Sequence, residues 1–78
     1  MTANELDQWM QHHCTGHQER MSMNGVDWLL LTMTDGWIAV LERTEDSYIP
    51  RIQAKDRAHA VGFCNRVERP RVPISPIF

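Results

Sequence analysis

The sequence predicts an α+β two-layer sandwich: an N-terminal helix, a three-stranded antiparallel meander, a C-terminal helix and an extended Pro-rich tail. Three observations predict it. Val26–Arg43, reading VDWLLLTMTDGWIAVLER, sets two apolar runs about Asp35-Gly36, the strongest short-range hairpin signal. Leu6, Trp9, Met10, His13 and Cys14 recur at helical spacing before it. Ala60, Val61, Cys64 and Val67 form a second helical stripe after it.

The first helix opens on Thr2-Ala3-Asn4-Glu5, which fits a capping box. The threonine oxygen accepts from the glutamate backbone N–H, and the glutamate reaches back to the cap. Gly16 is the expected stop, with a resumption through Gln18–Met21 as the alternative, and Asn24-Gly25 is a turn.

A two-residue loop at Asp35-Gly36 pairs Met33 with Ile38, Leu31 with Val40 and Leu30 with Leu41. Opposed residues share a face and successive residues alternate. One face is then Leu29, Leu31, Met33, Ile38 and Val40, an aliphatic patch on which both helices pack. The other is Trp28, Leu30, Thr32, Trp37, Ala39 and Leu41. A one-residue change of register mixes the two sets.

Ser47–Gln53 (SYIPRIQ) reads as the third strand, and Pro50 confines it to an edge because proline has no N–H for a ladder. Ala54–Glu68 reads as the second helix, with Gly62 weakening it and Pro70 ending it. Residues 1–69 therefore form one domain. Residues 70–78, within RPRVPISPIF, form an extended tail.

Seventy-eight residues with 42% hydrophobic and 23% charged content describe a small globular domain rather than a disordered chain. A chain this short buries only about 60–65% of its unfolded surface, so a partner, metal or disulfide gives welcome support. Met1–Met10 has no basic start followed by an apolar core, and no apolar run approaches the ~20 residues of a membrane span. The expectation is a cytoplasmic protein with Cys14 and Cys64 reduced and no membrane association. Net charge is −2 but unevenly spread. Residues 1–50 hold eight acids against Arg20 and Arg43, while residues 51–78 hold six cations against Asp56 and Glu68.

His12-His13-Cys14 with His17 is the one cluster with metal-ligating chemistry. His13, Cys14 and His17 are weak candidate ligands, since no CxxC pair accompanies them and Gly16 interrupts the spacing. The blander expectation is a packed Cys14 and solvated histidines, with no cofactor. No nucleophile elbow or P-loop pattern is present, and the acids are scattered over turns and helix starts. No enzymatic activity is expected, and no catalytic residues are assigned.

The order helix–three strands–helix resembles the double-stranded RNA-binding domain in architecture. That family opens its second helix with a lysine-rich, phosphate-contacting segment, where this chain has Lys55-Asp56-Arg57. Its glycine-and-histidine loop is replaced by Thr34-Asp35-Gly36. The resemblance implies nucleic-acid binding, and the basic C-terminal half offers Lys55, Arg57, Arg66, Arg69 and Arg71 as a local patch, which makes a nucleic-acid-binding accessory protein the second reading.

The first reading is a small non-enzymatic protein-interaction module. Trp28, Leu30, Trp37 and Leu41 are its expected anchors, with Tyr48 at the edge and Arg43 and Arg51 as polar rim, since exposed tryptophans are typical anchors. The tail supplies an arm. The aromatic face needs a cover: this chain, a second copy in a homodimer, or another protein. Small size and missing motifs suggest a phage or mobile-element inhibitor of a host enzyme or defence complex, anti-CRISPR-like in role.

Overall fold

A computed structural model describes residues 1–66. The expected tail at 70–78, and the domain limit at 69, lie outside the described residues. The elements run α1 (Ala3–His13), β1 (Cys14–Met23), β2 (Val26–Met33), β3 (Ile38–Arg43), β4 (Tyr48–Ala54) and α2 (Arg57–Arg66). The fold is α+β, with an antiparallel sheet in the order β1-β2-β3-β4. The three-stranded expectation is corrected to four.

The missed strand is β1, which follows α1 with no loop between them. The helix stops at His13, and Gln18–Met21 does not resume it. Asn24 and Gly25 have φ of +55° and +76°, both left-handed, as a type I′ two-residue hairpin requires. That turn pairs Met23 with Val26, Met21 with Trp28 and Glu19 with Leu30. The register shifts between Cys14 and Gln18, where β1 carries extra residues in a bulge holding Gly16 at φ +103°.

The capping box at the start of α1 forms as expected. Glu5 N–H donates to Thr2 Oγ1 at 3.2 Å, and Thr2 N–H donates to Glu5 Oε1 at 3.0 Å. The Thr2 backbone N–H, and after it the Thr2 hydroxyl, hold the Glu5 carboxyl below its ordinary range, since hydrogen bonds to the carboxylate favour the charged form. The N-terminus is fastened as well: the Met1 ammonium donates to Tyr48 O, and Tyr48 N–H donates to Met1 O, each at 2.7 Å.

The β2–β3 register is displaced by one residue from expectation. Leu31 faces Ala39, Leu30 faces Val40 and Leu29 faces Leu41. The cause is a three-residue loop, Thr34-Asp35-Gly36, in place of a two-residue one. Gly36 N–H donates to Met33 O at 3.0 Å, Met33 N–H donates to Trp37 O at 2.8 Å, and Gly36 sits at φ +92°. A turn followed by a left-handed glycine is the usual three-residue hairpin loop. Asp35 Oδ1 accepts from Trp37 N–H at 3.0 Å and closes it.

That displacement regroups the core. Trp28, Leu30, Val40 and Ala54 share a cluster with Ala60 and Cys64 of α2, with Met21, Met23, Ile38, Ile52 and Phe63 packed against it. Leu29, Leu31, Met33, Ala39 and Leu41 share a second cluster with Leu6 of α1, flanked by Met1, Trp9, Met10 and Tyr48. The two helices therefore cover opposite faces of the sheet, not a common aliphatic face.

The second helix starts three residues later than expected because Ala54 completes β4. Asp56 caps it, its Oδ1 accepting from His59 N–H at 2.8 Å. Pro50 lies on the edge strand as anticipated, beside a register shift between Val40 and Leu41 that leaves Arg51 as the extra residue.

Trp28 is 1% exposed and meets Phe63 edge-on, at 5.8 Å between centroids and 75° between planes. Its Nε1 is buried without a hydrogen-bond partner among the described residues. Trp28→Ala is expected to cost about 3–5 kcal/mol and leave the domain largely unfolded. Trp28→Phe should cost distinctly less, because it removes the unsatisfied donor along with part of the ring. Circular dichroism of Trp28→Ala and urea unfolding of Trp28→Phe check this, and a Trp28→Phe protein as unfolded as Trp28→Ala would overturn it.

Candidate interaction surface

The seven expected partner-binding residues do not form one surface. Trp28 and Leu30 are core under α2, and Leu41 is core on the opposite face under α1. A partner cannot reach them without opening the fold. Arg43 and Tyr48 face each other across β3 and β4, on the α1 side. Arg51 lies at the β4 bulge, where its Nη1 donates to Glu42 Oε1 at 2.7 Å. Trp37 alone of the expected apolar anchors is exposed, at 41%.

Trp37 stands one residue before β3, and strand alternation puts it in step with Ala39 and Leu41 on the α1 side. On that side a groove of about 440 Å³ opens between the helix and the edge strand. Met1 and Trp9 line it from the α1 segment, Ala39 and Leu41 from β3, and Pro50 and Gln53 from β4. Its lining is largely apolar. α1 crosses this face obliquely, from Tyr48 at the start of β4 to Cys14 at the start of β1, so among the described residues the corner at the start of β3 and the end of β4 stays open. Trp9 is half-buried there and stacks on His13 at 5.2 Å between ring centroids. Sequence reasoning did not associate Trp9, Met1 and Pro50 with a surface. Helical spacing marked Trp9 as apolar, but which strands lay beneath it depended on the hairpin register.

The basic residues of the second reading are also dispersed. Arg57 is taken up by Glu19: Nε donates to Oε1 at 2.8 Å and Nη2 to Oε2 at 2.6 Å. This fork holds the Glu19 carboxyl below its ordinary range and raises the guanidinium, chiefly through the hydrogen bonds themselves. Lys55 is exposed before α2, and Arg66 ends that helix about 13 Å further along its axis. Arg69 and Arg71 lie outside the described residues.

Known proteins offer no guide. No family model, curated protein or solved structure matches the chain. No helix among the described residues is long and apolar enough to cross a membrane.

His13 closes α1, Cys14 opens β1, and His17 sits in the bulged stretch. Among the described residues, no group of three or more His, Cys, Asp or Glu is arranged to hold a metal ion. Cys64 is buried under α2, and burial pushes its thiol up to about 11. Cys14 is partly buried, and desolvation raises its thiol too. Neither is a ready thiolate at neutral pH.

Two measurements test this description. In the native protein at pH 8, iodoacetamide should modify Cys14 slowly and leave Cys64 untouched, with both reacting once denaturant is added. Mass spectrometry reads the stoichiometry. The Glu19 carboxyl is stabilised in its charged form, so its contribution is fully present above the ordinary value of 4.5. It is lost as pH falls through the lower folded value. Glu19→Gln should therefore flatten the acid limb of the stability–pH curve below about pH 4.5. An unchanged limb in urea titrations would show that the Arg57 fork is absent in solution.

Proposed function

We propose that the protein is a small interaction module that docks on another protein through the α1 side of its sheet. The observation that carries this reading is an apolar groove that the described residues leave open, with Trp37 exposed two residues before Ala39 of its lining. Tryptophan supplies large contact area at little entropic cost and is enriched among the residues that dominate binding energy. Pro50 and the β4 bulge discourage strand addition along that edge. The partner is therefore one that inserts large apolar side chains between Trp9 and Pro50 while its surface packs on Trp37. An inhibitor of a host enzyme or defence complex is one such module, and that narrower reading rests on chain size and missing motifs alone.

The nucleic-acid reading has less support. Arg51 and Arg57 are already held by carboxylates, and the chain carries net −2. An oligonucleotide-binding protein needs a concentrated basic surface and shows salt-dependent retention. Full-length protein is expected to pass unretained over immobilised DNA and RNA at low salt.

The test of the module is affinity capture from the native host with full-length protein, followed by measurement of the isolated complex. Trp37→Ala and Pro50→Lys, both at exposed positions, should each weaken binding at least about tenfold with the melting temperature nearly unchanged. Arg57→Ala, on the α2 side, should leave binding as it was. Undiminished binding by both groove variants overturns the proposal, as does failure to capture any stoichiometric partner.

A further inference from the structure

The two edges of the sheet are built differently. β4 is blunted by Pro50 and by the bulge at Arg51, two of the usual protections against edge-to-edge association. β1 is bulged only between Cys14 and Gln18, and from Gln18 to Met23 it pairs regularly with β2. That stretch holds no proline and no further bulge, and among the described residues no element lies beyond it in the sheet.

The direction of its backbone groups follows from the turn. In a two-residue hairpin the residues flanking the loop exchange both hydrogen bonds, and such pairs then alternate. Met23, Met21 and Glu19 therefore bond inward to Val26, Trp28 and Leu30. Arg20 and Ser22 aim N–H and C=O outward. An unpaired row of this kind is a template for another strand.

We propose that Glu19–Met23 pairs antiparallel with the same segment of a second copy of this chain, about a two-fold axis normal to the sheet, with Met21 at the centre. The axis keeps each face continuous, so opposed residues must share parity. The longest overlaps within Gln18–Met23 are centred on Arg20 or Met21. The first sets Arg20 against Arg20 of the second copy, a like-charge pair. The second sets Met21 against Met21 and Arg20 against Ser22, with Glu19 already neutralised by Arg57. Met21 and Met23 are partly buried against the Trp28 cluster, so this register joins the two α2-side cores into one apolar band. The Arg20–Ser22 pairs, formed twice, supply about four backbone hydrogen bonds. The result is an eight-stranded sheet whose outer edges are the two blunted β4 strands.

Sedimentation equilibrium of the full-length chain from about 10 μM to about 1 mM tests the pairing, with Ser22 as the register probe because it is exposed. Ser22→Glu places a carboxylate opposite Arg20 twice per dimer and should tighten association about fivefold; Ser22→Arg should weaken it by a similar factor. The amide protons of Arg20 and Ser22 should become protected from exchange as concentration rises. A protein monomeric at about 1 mM overturns the proposal, and protection of those amides in that monomer shows that the chain covers its own edge. A dimer indifferent to both substitutions, or weakened by both, overturns the Met21-centred pairing.

Discussion

The loop between β2 and β3 decides which side chains each half of the molecule receives. Three residues separate Met33 from Trp37, and Gly36 takes the left-handed conformation that lets the chain close in that length. The resulting register sets Leu31 against Ala39 and Leu30 against Val40. With one residue fewer, every β3 side chain would move to the other face. Leu41 would then stand beside Trp28, and Val40 beside Leu29 and Leu31. Neither cluster could form as it does, because α2 meets a ring and small residues while α1 meets leucines.

Once that register is set, the sheet has two apolar faces and needs a helix on each. The chain meets this with connections at opposite ends. Met1 is bonded to Tyr48 at the start of β4, so α1 begins there and reaches β1 at Cys14, crossing its face obliquely. α2 begins after β4 and reaches the β1–β2 turn, where Asn24 Nδ2 donates to Asn65 O at 2.7 Å. Two short helices laid diagonally leave corners of both faces open. The groove between Trp9 and Pro50 is one such corner on the α1 side. Ile49, 37% exposed and opposite Glu42, marks another on the α2 side. Among the described residues, open apolar surface is a geometric consequence of laying one helix diagonally across each face of a four-stranded sheet.

These features explain what could be read from residues alone. The capping box, the β2–β3 hairpin and the edge position of Pro50 were legible because each rests on local chemistry that tertiary packing did not override. Asp35-Gly36 suits both a two-residue and a three-residue loop, so it announced the hairpin without settling its register. β1 was hidden differently. Its alternation is confined to Glu19, Met21 and Met23 facing the core, while CTGHQ before them is polar and bulged. Asn24-Gly25 is itself a hairpin signal, and joined to the spacing of Met21 and Met23 it marks the strand. Of the expected apolar anchors only Trp37 is exposed, while Arg43 of the expected rim is exposed too. Assigning Trp28 and Leu41 to one face followed from the register error, and the groove could not be seen without knowing that α1 and α2 lie on opposite sides.

The groove and the β1 edge are independent surfaces with different physics. The groove lies against β4, where proline and a bulge deny backbone pairing, so recognition there depends on side-chain packing. The β1 edge offers backbone groups and a narrow methionine row, so recognition there depends on strand geometry and register. They sit at opposite ends of the sheet, separated by β2 and β3, about 14 Å across at the usual spacing. Occupation of one leaves the other open. A self-paired chain would present two Trp37 grooves on its outer flanks, both on the same side of a continuous sheet. For a domain whose own core is small, that arrangement shields the open edge and offers a partner two sites in place of one.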